Sequence, residues 1–125
     1  ATTFAVAHIP LDEYILPESV YALGAVPIVP YAQPSTQELA DRLIPYLQNY
    51  DAFILENHGT VTVGSDLIKA YYKTETLEYN ARITYLTKVL GQWNELPREE
   101  IQKLVASFRA SNPNGKHPGY VKFSK

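Results

Sequence analysis

Residues 52–64 read AFILENHGTVTVG and contain two short β-type segments around a turn. Ala52–Glu56 is an apolar run, and Thr60–Val63 alternates small polar with β-branched residues, a pattern typical of strands. Between them, Asn57-His58-Gly59 has the chemistry of a tight turn. The stretch therefore predicts two strands joined by a turn with a histidine at its centre.

A further β-type segment precedes this pair in the chain. Val26–Tyr31 is rich in β-branched residues but contains Pro27 and Pro30. Proline has no N–H to donate to a neighbouring strand, so it is confined largely to sheet edges. The segment is therefore predicted to be an edge strand.

Capping residues and apolar spacing predict the helices. Ser35 and Glu38 have the spacing of a capping box, so a helix is expected to begin at Ser35 and to be kinked or ended by Pro45. Ser65 can cap a long helix that ends before Gly91. The remaining predicted elements are a helix or strand within Ala1–Ile9, a connection at Leu11–Leu16, and helices at Pro17–Leu23, Asp66–Leu90 and Pro97–Arg109.

Composition excludes several classes of function. The 125 residues include 11 Lys and Arg against 13 Asp and Glu, which gives no basic surface for nucleic acid or an acidic membrane. The chain has no Cys, so any metal must be held by His, Asp or Glu, and a cytoplasmic location is expected. It has no initiator Met and no basic leader, so we expect that its first residue marks a processing or truncation point.

His58 is the candidate metal ligand because a turn between two strands would hold its imidazole rigidly. A neutral imidazole binds a divalent cation well when its other nitrogen is held by an acceptor, here Glu56 or Asn57. The alternative is an ordinary turn residue between Asn57 and Gly59 at positive φ. His8 and His117 have no ligand partner at local spacing, so they are interpreted as packed or solvated residues.

Two stretches together resemble the class II aldolase/adducin family. They are Gly24–Ala32 with the helix start that follows it, and Leu55–Leu67 with the beginning of the long helix. The resemblance implies a three-layer α/β/α domain with a central mixed or antiparallel sheet whose N-terminal part is missing here. Residues 1–110 would be the C-terminal part of that domain, and residues 111–125 a flexible tail.

The resemblance also implies a set of site residues. Family members hold zinc or another divalent metal with three histidines, an upstream H-x-H pair and a third in the turn that His58 matches. The catalytic glutamate and the phosphate-binding loops would also lie upstream of this chain. A tyrosine from a neighbouring subunit donates a proton; an ungapped match puts that position at Leu16, and an insertion or deletion would make it Tyr14. The substrate-binding residues are unknown.

The implied activity is zinc-dependent retro-aldol cleavage of a phosphorylated ketose through a metal-stabilised enediolate. The alternatives in this fold are a pentulose-phosphate 4-epimerase and a methylthioribulose-phosphate dehydratase, or a non-catalytic adducin-like interaction module. The resemblance implies a homotetramer, a sugar phosphate as the small-molecule partner, and no nucleic-acid or membrane partner. The chain alone would be inactive, since it needs the missing N-terminal segment or another chain that completes the domain.

Overall fold

The computed structural model of the chain describes residues 1–120 and contains five helices and three strands there; residues 121–125 lie outside the described part. The strands carry two, four and four residues, so the sheet is small. In chain order the elements are α1 (Thr2–Ala7), α2 (Pro17–Ala22), β1 (Ile28–Val29), α3 (Gln37–Leu43), β2 (Ala52–Leu55), β3 (Gly59–Thr62), α4 (Leu67–Leu90) and α5 (Arg98–Ser111).

The sheet has the order β1-β2-β3, with β2 in the centre. β2 and β3 are antiparallel, and Leu55 pairs with Gly59 across the tight turn. β1 runs parallel to β2 and pairs Ile28 with Ile54. The two predicted strands and their turn are confirmed, and β1 lies at an edge of the described sheet as its flanking prolines predict.

β2 is buried on both faces because its side chains alternate between two apolar clusters. Ala52 and Ile54 pack with residues of α1 and α4, whereas Phe53 and Leu55 pack on the opposite face with α3 and the turns that follow it. A strand with helical layers on both sides is the α/β/α arrangement that the sequence predicted. Packing against both layers therefore fixes the position of β2.

The predicted start of α3 at Ser35 is wrong. Ser35 has φ 63°, outside the helical range, and Thr36 is the N-cap of a helix that begins at Gln37. The Thr36 hydroxyl donates to the Gln33 carbonyl at 2.6 Å, so it closes a turn before the helix and leaves no side-chain cap on α3. α3 ends at Leu43, two residues before Pro45, as proline geometry requires.

The cap of α4 is Asp66 rather than Ser65. The Asp66 carboxylate accepts from the Lys69 backbone N–H at 2.8 Å, and Gly91 ends the helix in the left-handed region at φ 81°. An ionised carboxylate satisfies an unpaired N–H of the first turn and interacts favourably with the helix dipole. α5 begins at Arg98 and extends through Ser111, two residues beyond its predicted end.

Residues 116–120 contact the body of the domain. The Lys116 ammonium donates to the Leu47 carbonyl at 2.7 Å, and Tyr120 stacks on Tyr14 with ring centroids 5.4 Å apart. The His117 ring donates from Nε2 to the Val20 carbonyl at 2.6 Å and accepts the Gly119 N–H at Nδ1 at 3.0 Å. The flexibility predicted for residues 111–125 stays a prediction, and its last five residues lie outside the described part.

We expect Ile54→Ala to lower the free energy of unfolding by about 2–5 kcal/mol, because it leaves a cavity beside the central strand. Ile54 is fully buried, whereas Ile44 is 58% exposed and provides the matched control. Ile44→Ala removes the same atoms and should cost about 0.5 kcal/mol or less. Urea unfolding of both variants measures the difference; equal losses would contradict the buried position of Ile54.

Protonation of His117 should destabilise the fold. Burial of the ring lowers the pKa of His117 below its usual value, and its neutral Nδ1 accepts the Gly119 N–H. The unfolded chain therefore binds the proton more readily, so stability is complete above the ordinary pKa of about 6.5 and is lost as the pH falls through the lowered pKa. Urea unfolding between pH 8 and pH 5 should show this loss, and His117→Asn should reduce it.

Candidate functional site

The turn at residues 56–58 is a fixed structure. Asn57 adopts φ 53°, a left-handed conformation that asparagine tolerates better than most residues, and the His58 N–H donates to the Leu55 carbonyl at 3.1 Å. Of the two turn neighbours expected at positive φ, only Asn57 has it, since Gly59 lies within β3. The strained residue of the turn therefore stands directly before the candidate ligand.

Neighbouring elements hold the turn from both sides. The Asn57 N–H donates to the Ala5 carbonyl of α1 at 3.1 Å. On the other side, the Glu56 N–H donates to the Val29 carbonyl at 3.1 Å, and the Glu56 carboxylate accepts the Tyr31 N–H at 2.8 Å. These bonds tie the turn to the end of α1 and to the chain after β1, so the backbone that carries His58 is positioned by contacts distant in sequence.

His8 contacts both residues that were expected to orient His58. Its Nε2 lies 2.6 Å from the Asn57 side-chain oxygen, and its Nδ1 lies 3.7 Å from a Glu56 oxygen. His8 itself has φ 55° at the end of α1, so two strained non-glycine residues meet at the turn. The predicted bond of His58 to Glu56 or Asn57 is not formed. The Asn57 side-chain oxygen is hydrogen-bonded to His8 instead, and the Glu56 carboxylate lies in a longer contact with the same ring.

The imidazole of His58 is exposed and has no hydrogen-bond partner within residues 1–120. An ideal Cβ built on the adjacent Gly59 has no atom within 4 Å, so this side of the turn faces open space. Nowhere in residues 1–120 do three His, Cys, Asp or Glu side chains come close enough to hold a metal ion. His58 thus fits the role of one ligand, and the described residues do not complete a metal site.

Tyr14 lies elsewhere in the fold. It is 1% exposed, belongs to a cluster with residues of α2 and α5, and donates its hydroxyl to the Gly119 carbonyl at 3.0 Å. The stacked Tyr120 ring covers it further. The structure therefore separates the two predicted site residues: Tyr14 lies in the core, and His58 lies at the surface.

A groove lies at the end of the β2–β3 hairpin opposite to His58. It has a volume of about 950 Å³ and is lined by residues that include Asp51, Val63 and Lys73. Lys73 spans its wall, since its ammonium binds the Asp51 carboxylate at 2.6 Å and the Val63 carbonyl at 3.0 Å. This groove is therefore separate from the His58 turn.

None of the helices within residues 1–120 combines the length and the apolar character needed to cross a bilayer.

Comparison with known proteins assigns the fold and the turn to one family. The family described as "Class II Aldolase and Adducin N-terminal domain" matches residues 1–85, which include α1, the whole sheet and most of α4. The chain belongs to this family. The sequence resemblance and the predicted fold class are thereby confirmed.

Three similar proteins illustrate the range of the family. An L-fuculose phosphate aldolase of Methanococcus maripaludis strain C5 is 36% identical over 80 residues, 64% of this chain and 43% of the relative. A 3-oxo-tetronate 4-phosphate decarboxylase of Pectobacterium atrosepticum is 37% identical over 70 residues, 56% of this chain and 32% of the relative. A solved L-fuculose 1-phosphate aldolase superposes with a TM-score of 0.76 at 29% identity, covering 86% of this chain and 50% of that one.

The chain spans half the length or less of these class II aldolase relatives. Sequence reasoning identified the turn but missed His8 as its neighbour. The two contacts of His8 join residues 49 and 48 positions apart, and no spacing within the sequence signals such a pair. A histidine directly after a short helix was the only local sign.

Asn57 is expected to stabilise the turn through its backbone conformation. Asn57→Ala should lower the free energy of unfolding by about 1–3 kcal/mol, because alanine is strained at positive φ and the bond to His8 is lost. Asn57→Gly also loses that bond but adopts the conformation freely, so it should cost less. Urea unfolding of both variants tests this; a larger loss for glycine would contradict the backbone explanation.

Proposed function

We propose that the protein containing this chain is a metal-dependent class II aldolase that cleaves a carbon–carbon bond of a phosphorylated ketose. The observation that carries the proposal is the exposed, unpartnered His58 on a turn fixed from both sides, within a domain of the class II aldolase family. Similar proteins named as sugar-phosphate aldolases support the substrate class.

In this proposal the chain contributes one neutral imidazole at a defined position. The bonds of Asn57 to α1 and of Glu56 to the chain after β1 keep the His58 backbone in place, so binding costs little ordering of the turn. The remaining ligands, the base and the phosphate-binding loops would come from the part of the family domain outside this chain. A bound divalent cation such as zinc would act as a Lewis acid toward the oxygens of the ketose.

Tyr14 remains a candidate proton donor under one structural condition. Its hydroxyl is bound to the Gly119 carbonyl and its ring is covered by Tyr120, so residues 119–120 would have to move before Tyr14 could reach a substrate. A donor must come within hydrogen-bond distance of the atom that it protonates. Tyr14 is therefore proposed to act only from a state in which the C-terminal segment has left the core.

A second candidate is decarboxylation of a phosphorylated 3-oxo acid. The Pectobacterium relative named as a 3-oxo-tetronate 4-phosphate decarboxylase is as similar to this chain as the aldolases are. Both reactions break a carbon–carbon bond next to a carbonyl group, which takes up the electron pair. Product analysis distinguishes them, because decarboxylation releases carbon dioxide and aldol cleavage releases an aldehyde and a ketone. The same analysis separates an epimerase and a dehydratase.

We expect His58→Ala in the complete gene product to lower bound zinc and aldolase activity together. The control is His117→Asn, which removes a histidine that contacts Val20 rather than the turn and should keep the metal. Zinc per protomer is measured by mass spectrometry, and activity by release of aldehyde from L-fuculose 1-phosphate and related ketose phosphates. Unchanged zinc in His58→Ala would remove His58 from the site, and a complete protein without zinc would favour an adducin-like module.

A further inference from the structure

His8 occupies a position where the backbone favours glycine. It ends α1 in the left-handed region at φ 55° and ψ 41°, a conformation that glycine most often adopts after a helix. Within residues 1–120, only His8, Ser35 and Asn57 have a positive φ without being glycine. A side chain at such an angle costs conformational energy, which persists only where surrounding contacts require it. The His8 side chain is therefore expected to make a contact that offsets this cost.

That contact is a hydrogen bond rather than burial in the core. The His8 side chain is 50% exposed, so it removes little apolar area from water. Its Nε2 lies 2.6 Å from the Asn57 side-chain oxygen. An amide oxygen only accepts, so Nε2 carries the hydrogen and donates it. The His8 Nδ1 is 3.7 Å from a Glu56 oxygen, beyond hydrogen-bond distance, which makes Asn57 the bonded partner.

Asn57 is bound to the end of α1 at two points. Its N–H donates to the Ala5 carbonyl at 3.1 Å, and its side chain accepts from His8, three residues further along. One hydrogen bond lets a residue rotate about it, whereas two bonds to the same segment fix its orientation. The orientation of Asn57 sets the direction of the peptide that leads into His58.

His58 depends on this backbone for its direction. Its imidazole is exposed and makes no hydrogen bond within residues 1–120 that would orient the ring. A functional side chain must be held within about 0.5 Å and about 10–20° of its productive geometry. A ligand without a partner of its own is held in that geometry only through the residues before and after it.

We infer that His8 is a positioning residue for the proposed metal ligand His58 and acts through the side chain of Asn57. The inference rests on the proposed function, because it concerns the metal site to which His58 would contribute. In this role His8 binds Asn57 rather than the metal. The His8 ring fixes Asn57 in the left-handed conformation, and Asn57 in turn fixes the backbone of His58.

Zinc affinity of the complete gene product tests the inference. His8→Gly frees the backbone and removes the donor, so it should weaken zinc binding about tenfold, the smaller effect expected when a residue that orients a ligand is lost. His8→Gln brings its amide nitrogen near the position of Nε2 and keeps the donor, so it should retain most of the affinity. Competition with a chelating dye measures the dissociation constant of each variant.

A double-mutant cycle tests the route through Asn57. Asn57→Gly removes the acceptor and should also weaken zinc binding. Adding His8→Gly to it should cause no further loss, because the two residues share one bond. The control is Ser35→Gly, which frees another exposed residue at positive φ, before α3 rather than at the turn, and should leave the affinity unchanged.

Backbone amide exchange provides a readout that needs no metal. In the metal-free protein, His8→Gly should speed exchange of the Asn57 amide, which is bound to Ala5, roughly tenfold, because the turn opens more often. His8→Gln should not change this rate. NMR spectroscopy measures the exchange, and circular dichroism checks that each variant is folded.

The outcomes separate this inference from the proposed function. Equal zinc affinity in His8→Gly and the unmodified protein, a further loss in the double variant, or an equal loss in His8→Gln overturns the role of His8 and leaves the aldolase proposal standing. An unmodified protein that binds no zinc overturns the aldolase proposal. Unchanged amide exchange in His8→Gly then shows that His8 does not hold the turn either, whereas faster exchange retains that part of its role.

Discussion

The burial of β2 on both faces is the constraint on which the rest of the structure depends. A strand of four residues contributes few hydrogen bonds of its own, so its position is set by side chains that enter two apolar clusters. Ile54 faces α1 and α4, and Phe53 faces α3. Because a shift of register by one residue would exchange these two sets, the alternation fixes the strand against both neighbouring layers.

The fixed strand determines where the turn lies and what surrounds it. β2 ends at Leu55, so the turn begins at the level where α1 ends and where the chain leaves β1. Ala5 and Val29 accept the Asn57 and Glu56 N–H groups there, and His8 reaches the two side chains. This leaves His58 free to face outward from a backbone that is held from both sides. The burial of β2 therefore determines the position of the candidate ligand.

Burial also divides α4 into a covered face and an exposed face. One face completes the cluster around Ile54, whereas the other is apolar and has no cover within residues 1–120. Helical periodicity predicted the helix and its length, since apolar residues recur at three- and four-residue steps on both faces. It could not show which face is buried, because both satisfy the same spacing. The choice depends on contacts with β2 and α1, which are distant in sequence.

The sequence by itself determined the order of the elements, the hairpin, the turn that carries His58 and the family, because these depend on residues close together in the chain. The tertiary structure decided which residues act together. It assigned the caps to Thr36 and Asp66 instead of their serine neighbours, and it placed His8 rather than His58 against Asn57 and Glu56. It also buried Tyr14 beneath residues 119–120. The physical reason is that backbone conformation follows local chemistry, whereas the partner of a side chain depends on which distant segments packing brings within a few ångströms.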